Sequence, residues 1–374
     1  MKKIIALVMA LAMVFALAAC GSSNTSAPAA NTAPAAEAAP AAEAAPAAEA
    51  PAGLPEGCPV VTSTDKVDII WSHNANEATV GHKAALLFAE HMNQYSNGNI
   101  NVTVYPNGEL GSVPENDQAV KEGTVQIVSG TTGGAADPKL SYFDTPMMVN
   151  SQDEAYAMMQ PDTELYAYTQ GVYNSLGLQM LGIVPAGFRE TSSNKAVRSY
   201  EDLKGLNIRT MEVPAHIAYW KAWGCNPTPV AWGETYLALQ QGLVDAQENA
   251  YETIYAAKLN EVQKYIINTN HIVMWSGMYM NLDFYNNLPD DYRELLNWVV
   301  ANEIMPYLYE EQAVANDAAL QAMVDQGIEV IDLSAEDYTK MRENAAPAIE
   351  LITQAAGQEA MDILAAAQAA AAAA

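Results

Sequence analysis

Beyond about residue 66 the sequence predicts an α/β protein of two lobes, with a hinge, a cleft between the lobes and a long helix crossing both. Three observations lead there. Short β-rich runs alternate with longer helical ones. The alternation begins again near the middle of the chain. One helical pattern, from Leu288 to Gly327, is far longer than its neighbours. The expected lobes are 66–186 with about 275–314 (lobe I), and 187–274 with about 315–365 (lobe II). Their combined size fits one large or two ordinary domains.

Taken in order, "VDIIW" from Val67 reads as a strand and "VGHKAALLFAEHMNQY" as a helix closed by the turn "SNG". "INVTVYP" is a strand, "VPENDQAVKEG" a short helix and "VQIVS" a third strand. Ligands of open sheets bind beyond the carboxyl ends of the strands. The following "GTTGGAAD" therefore either offers backbone N–H groups, Thr131 and Thr132 to the cleft or is an ordinary connection. The middle of the chain restarts with the strand-like "LQMLGIV" and "LNIRT". Next come a proline-opened helix "PAHIAYWKAWG", a strand "PTPVAW", a glycine-ended helix "ETYLALQQG" and a strand "LVDAQEN". This second set predicts a separate sheet with its own helices. "AYETIYAAKLNEVQKY" reads as a helix, "HIVMWSGMYMNLDFY" as strand, and the long helical pattern is expected to bend near Pro306. The alanine-rich tail, 366–374, carries no assignment.

The amino terminus carries two lysines, an unbroken apolar run from Ile4 to Ala19, then Cys20. This reads as a secretory signal over 1–19 and not as a spanning helix, because the run is near the short limit and small and polar residues follow at once. "LAAC" resembles the bacterial lipobox, which makes Cys20 the lipidated first residue of the mature chain. Two acyl chains there would anchor it stably. Residues 20–65 alternate alanine, proline and glutamate and read as a semi-rigid spacer. No later apolar run is long enough to span a bilayer. The chain's formal net charge of -27 disfavours nucleic acid and anionic membrane surfaces as partners and suits solubility outside the cell. Of the remaining cysteines, Cys58 falls in the spacer and Cys225 deep in the chain, which disfavours a disulfide.

Metal and enzyme signatures are missing from the sequence. His73, His82 and His91 recur at nine-residue intervals, and on a helix such a step turns the chain by about half a circle beyond whole turns. His82 and His91 then point apart and do not chelate. The sequence contains no HExxH, paired CxxC, EF-hand loop, GxSxG elbow or P-loop. No cofactor and no catalytic residue is expected.

Three of the five arginines lie in "GFRETSSNKAVRSYEDLKGLNIRT", residues 187–210. Arg209 follows "LNI" where the strand should end, at the rim facing the cleft. A guanidinium stays charged at physiological pH and fits a carboxylate with two parallel hydrogen bonds. Strand logic alone leaves open an internal ion pair with Glu201, Asp202, Glu212 or Glu248.

The stretches "FRETSSNKAVRSYEDLKGLNIRT", "NPTPVAWGETYLALQQGLVDAQEN" and "EVQKYIINTNHIV", with "SNGNINVTVYPNGELG" earlier and "LPDDYRELL" later, resemble the solute-binding proteins of tripartite ATP-independent periplasmic (TRAP) transporters, of the C4-dicarboxylate and sialic-acid type. The resemblance runs from Val67 to about Gly357. It implies a periplasmic-binding-protein-like fold and capture of a small organic acid for a permease driven by an ion gradient. Arg209 then takes the place of the arginine that pairs with the solute carboxylate, and Arg189 that of a second arginine near the same group. Asn249 matches an asparagine that orients the carboxylate, Trp232 an aromatic residue lining the cleft, and Asn74 a polar residue of the opposite lobe. Arg198 matches nothing and reads as a surface charge.

Where the family usually has "RVP", this chain has "RTME". The resemblance leaves Glu212 either to receive an amine or hydroxyl of the solute or to pair with Arg209. The charged residues that sialic-acid binders use after the third strand are replaced by "GTTGG", which argues against that ligand. The expected protein is a monomeric, extracytoplasmic subunit, anchored by lipid to the cell membrane, whose partners are an organic acid and the TRAP permease subunits. The alternatives are a binding lipoprotein of an ABC importer and, further off, a lipid-anchored hydrolase.

Overall fold

A computed structural model describes residues 53–373. The expected signal, Cys20 and most of the spacer lie outside the described residues. From Leu54 the chain is already docked. Leu54 and Cys58 pack on the core around Trp298, Val61 is buried, and Asp291 accepts hydrogen bonds from the backbone N–H groups of Thr62 and Ser63, both at 2.8 Å. The packed body therefore begins before the expected boundary at 66.

Strand β1 (Val67–His73) leads to helix α1 (Val80–Tyr95), whose Ala84, Ala85, Phe88, Met92 and Tyr95 form a buried stripe at helical spacing. Then follow β2 (Ile100–Tyr105), α2 (Val113–Glu122) and β3 (Ile127–Thr131). Helix α2 opens on a Ser112–Glu115 capping box and stops at Gly123, in the left-handed region at φ 76°. A 3-10 helix, Pro138–Asp144, precedes α3 (Gln152–Met158) and α4 (Glu164–Ser175). The middle of the chain holds β4 (Leu178–Ser193), β5 (Asn207–Thr210), α5 (Pro214–Ala222), β6 (Asn226–Pro229), α6 (Thr235–Gln240), β7 (Ala246–Asn249) and α7 (Tyr251–Ala256). The remainder is β8 (Tyr265–Asn281), α8 (Leu282–Asn287), α9 (Asp290–Val299), α10 (Met305–Asp325), β9 (Glu329–Asp332), α11 (Ala335–Glu343), α12 (Ala346–Ala356) and α13 (Gln358–Ala371).

The two expected sheets are one. The strands lie in the order β2-β1-β3-β8-β4-β7-β5-β6, with β9 also against β8. The joint is the antiparallel pair β4 and β8, 16 and 17 residues long, twice the length of any other strand. Leu178–Pro185 pairs with the Trp275–Asn281 half of β8, next to β3, whereas Phe188–Ser193 pairs with the Tyr265–Val273 half, next to β7 and β9. Three register shifts in β4, at Met180/Gly182, Pro185/Phe188 and Arg189/Thr191, mark the passage. Bulges bend and twist a strand, so the passage is where the two lobes turn relative to each other. Gly187 belongs to it for a steric reason: its φ is 97°, and an added Cβ would lie 2.7 Å from Asn316 Nδ2.

Two further expectations are corrected. The helix read over 250–265 ends at Ala256, after which Lys258 is left-handed and the chain enters β8 at Tyr265. "LDFYNN" is helix and not strand, because Asn281 accepts from Phe284 N and caps α8. The long helical pattern contains a π turn, Val300–Ile304, directly before Pro306. Proline supplies no N–H to the preceding turn, and a wider loop of hydrogen bonds accommodates that loss.

The alanine-rich tail, up to Ala371, completes α13, which lies on α3 and α4. Its Ala360 and Leu364 are buried, and Gln368 Nε2 donates to Met148 O at 2.7 Å. Alanine is the best helix former, and small side chains permit close approach. Replacing Leu364, 1% exposed, by alanine should lower unfolding stability by about 2–5 kcal/mol in a urea titration. An unchanged midpoint would show that this helix is not part of the cooperative core.

Candidate functional site

A cavity of about 390 Å³ lies where β4 and β8 shift register, floored by Ala186, Arg189, Met274 and Ser276. Four parallel-sheet strands end at it, as expected of open α/β sheets. His73 and Thr131 close β1 and β3 on one side, and Arg209 and Asn249 lie at the ends of β5 and β7 on the other. Asn74 faces the cavity from beyond β1 and Trp232 from the turn before α6. Glu212 does not line it; this residue is exposed on the turn before α5.

Arg209 is 3% exposed yet forms no ion pair among the described residues. Its Nε donates to Val230 O at 2.9 Å, and its guanidinium carbon lies 5.8 Å from the centre of the Trp232 ring. These contacts hold the fork at one edge and along one face, leaving its two terminal nitrogens without a protein partner among the described residues. Burial pushes its pKa down to about 10, with Arg189 adding to that effect while Glu248 and Glu212 oppose it. It therefore remains charged at neutral pH.

The internal ion pair considered for Arg209 belongs instead to Arg189. Glu248 receives Arg189 Nε at 2.5 Å and Nη2 at 2.9 Å, and the same Nη2 also donates to Glu248 O at 2.7 Å. Both residues are buried. His271 Nε2 lies 3.2 Å from Glu248, and His216 bridges Glu248, at 3.8 Å, and Asp144, at 3.1 Å. Burial opposes the charge on Glu248, but Arg189 and the histidine hydrogen bonds outweigh it and hold this carboxyl well below the usual range. Burial likewise opposes charge on His216, and its hydrogen bond to Asp144, with the Glu248 carboxylate nearby, outweighs it and raises that pKa.

The "GTTGG" connection is not an anion nest. Thr132 N–H donates to Trp275 O at 2.9 Å and Gly134 N–H to Asp144 Oδ2 at 2.6 Å, so both are spent inside the fold. An added Cβ at Gly133 would lie 2.6 Å from the Asp144 carboxylate, which explains the small residues. Asn74 and Asn249 are pre-oriented: Asn74 Nδ2 donates to Gly111 O and Asn249 Nδ2 to Gln247 Oε1. His73 and His82 face each other, Nε2 to Nδ1 at 3.1 Å, while His91 meets Glu303. Burial, with His82 beside it, pushes the His73 pKa down to about 4. Among the described residues no three His, Cys, Asp or Glu side chains gather to hold a metal. Cys58 and Cys225 are both free thiols.

Sequence reasoning missed Asp117 of α2 and Glu252 of α7, both lining the cavity. Tyr279 donates its hydroxyl to Asp117 Oδ1, and burial raises that carboxyl to about 6. Glu252 accepts from Val80 N at 2.7 Å and Gln312 Nε2 at 2.6 Å, joining α7 to the first turn of α1 and to α10. In a chain with 44 acidic residues neither stood out.

Residues 71–355 match the family DctP, bacterial extracellular solute-binding protein, family 7. The chain belongs to this family. Among its relatives, the C4-dicarboxylate-binding periplasmic protein of Rhodobacter capsulatus is 29% identical over 299 residues, 79% of this chain and 89% of that protein. The sialic acid-binding periplasmic protein of Vibrio cholerae is 30% identical over 60% of this chain and 71% of its own length. A TRAP solute-binding protein from Desulfovibrio salexigens, crystallised with orotic acid, superposes with a TM-score of 0.77 at 25% identity, covering 82% of this chain and 100% of that one. This DctP family protein is thus an extracytoplasmic solute-binding subunit of a TRAP transporter, with the two-lobed fold of that class. Among the described residues no helix is long and apolar enough to cross a membrane.

The buried pair under the cavity predicts its own signature. Glu248→Gln, which leaves Arg189 without a counter-charge, should cost about 3–5 kcal/mol, whereas Arg198→Ala at the exposed pair with Glu329 should cost under about 1 kcal/mol. Because the folded pKa of Glu248 is depressed, its contribution is complete above the ordinary value of 4.5 and is lost as pH falls through the lower folded value. Stability measured by denaturant between pH 7 and the acid limit should fall less steeply on the acid side in Glu248→Gln. Parallel curves for both proteins would contradict the pairing.

Proposed function

We propose that the protein captures a small organic acid outside the membrane, with Arg209 receiving its carboxylate, and delivers it to the membrane subunits of a TRAP transporter. The observation that carries this reading is a buried, charged fork whose terminal nitrogens have no protein partner among the described residues and which lies against the cavity. A buried guanidinium without a counter-ion is costly, and a bidentate carboxylate removes that cost. The named ligands of the relatives, a C4-dicarboxylate, sialic acid and orotic acid, are all acids.

In this reading Arg189, its charge balanced by Glu248, lies near the carboxylate as a second arginine, Asn249 orients the carboxylate, Trp232 covers the arginine and lines the cleft, and Asn74 meets the solute from the other lobe. Glu212 acts from outside the cavity, helping to keep Arg209 charged. The lobes are 66–186 with about 275–314, and 187–274 with about 315–365, hinged on β4 and β8. Solute bridging them stabilises the closed form by no more than its differential affinity for that form. No bond is made or broken, so the protein is a receptor and not an enzyme. It acts as a monomer held to the membrane through a lipid on Cys20. Family membership favours this over an ABC-importer lipoprotein, which an ATP requirement for uptake would instead support.

A thermal-shift screen of the soluble domain against small carboxylates should find acids that raise the melting temperature, since a ligand of the folded state stabilises it. For such an acid, Arg209→Lys should weaken calorimetric affinity by about 30-fold or more, the consequence of a loss of at least ~2 kcal/mol. Unchanged affinity would remove Arg209 from the site.

A further inference from the structure

The cavity is electrostatically one-sided. Two guanidinium groups line it, and one of them, Arg189, is cancelled by Glu248. Among the described residues no lysine and no third arginine lines it. The imidazole of His73 on the opposite wall is held neutral at physiological pH. A solute with one carboxylate on Arg209 therefore finds no second counter-charge.

The hydrogen-bonding capacity of that opposite wall points the same way. Asn116 Nδ2 is committed twice, to Asn74 Oδ1 at 3.0 Å and to Gly111 O at 3.1 Å, and Asn74 Nδ2 donates to Gly111 O at 2.9 Å. Both amide hydrogens of Asn116 are spent, and Asn74 has one left. The acids differ from each other. Both oxygens of Glu252 already accept hydrogen bonds, from Val80 N and Gln312 Nε2. Asp117 accepts one bond, from Tyr279 to Oδ1, and its Oδ2 has no protein partner among the described residues. The hydroxyls of Ser129 and Thr131 can donate or accept and decide nothing.

We propose that Asp117 is the specificity-determining residue of the cavity: it accepts a hydrogen bond from a hydroxyl or amino group at the far end of a monocarboxylate and repels dicarboxylates. The inference rests on the reading of Arg209 as the carboxylate anchor. It gives discrimination by a repulsive element as well as an attractive one: the wrong solute places two carboxylates together, and the right one satisfies an open acceptor. The titratable groups facing Asp117 are Tyr279 on β8, Tyr173 on α4 and, one turn along its own helix, Lys121, itself 3.8 Å from Asp137. Burial lifts Asp117 to about 6, so at pH 8 the carboxylate is charged and the exclusion is in force.

Matched acids test this by calorimetry at pH 8. For each chain length from four to six carbons, the α,ω-dicarboxylate is compared with the ω-hydroxy and ω-amino monocarboxylates, using wild type, Asp117→Asn and Arg209→Lys. Wild type should bind at least one hydroxy or amino acid about tenfold or more tighter than the dicarboxylate of the same length. Asp117→Asn, which still accepts from Tyr279, should close that gap chiefly by binding the dicarboxylate more tightly. The ratio within one variant does not depend on how much of it is folded. A wild-type preference for the dicarboxylates, or the same ratio in Asp117→Asn, overturns the proposal and leaves the anchor standing. Failure of every acid to bind wild type, or affinities untouched by Arg209→Lys, overturns the anchor and this inference with it.

Discussion

The site depends on a division of labour between two buried arginines. Arg189 and Arg209 approach the same cavity from neighbouring parts of the sheet, and two uncompensated guanidinium groups in a dry interior would repel each other. Glu248 resolves this by taking a bidentate bond from Arg189, so that among the described residues Arg209 keeps a backbone carbonyl and an aromatic face. One net positive charge then remains at that end of the cavity, at the end of β5. The histidines around Glu248 extend the arrangement to Asp144, so the charge balance beneath the cavity reaches from β7 through α5 to the 3-10 helix after β3.

The same constraint explains why the molecule turns where it does. The two long strands keep both halves of the sheet hydrogen-bonded into one, and two of the three register shifts in β4, Pro185/Phe188 and Arg189/Thr191, fall around Arg189. Ala186 and Arg189, inside the irregular stretch, line the cavity, so a change in twist there would move the floor and one wall together. Glu252 ties the other edge, with its carboxylate on the first N–H of α1, where the helix dipole favours negative charge. The walls of the cavity thus already touch at one rim.

Much of the fold was legible because hydrophobic period and caps agree locally. The α1 stripe, the Ser112–Glu115 box and Pro214 at the start of α5 each carry their own signal. The single sheet was not legible. "PAGFRETSS" mixes proline, glycine and charge, and it is strand only because β8 and β7 pair with it on both sides. The tail was unreadable for the opposite reason: its alanines fit a helix anywhere, and Leu364 and Gln368 find their places only against α3, α4 and Met148. In the site, Arg209 could be read from its position at a strand end. That Glu248 pairs with Arg189 and not with Arg209 could not be read, since strand periodicity does not say which arginine an acid on a neighbouring strand meets. Asp117 sits mid-helix with nothing in its neighbours to separate it from a solvated charge.

A chain of net charge -27 that receives an anion raises an apparent conflict. Distance resolves it. At physiological salt, charges farther apart than about 8 Å are largely screened, so the acidic surface does little to a solute inside a cleft. Within the cavity the dielectric is low and the nearest charges dominate. Arg209 is among them, desolvated, fixed at Nε and faced by Trp232. The surface acids act on an encounter at low salt, whereas the potential inside the cavity is set by the groups that line it and not by the sign of the whole molecule.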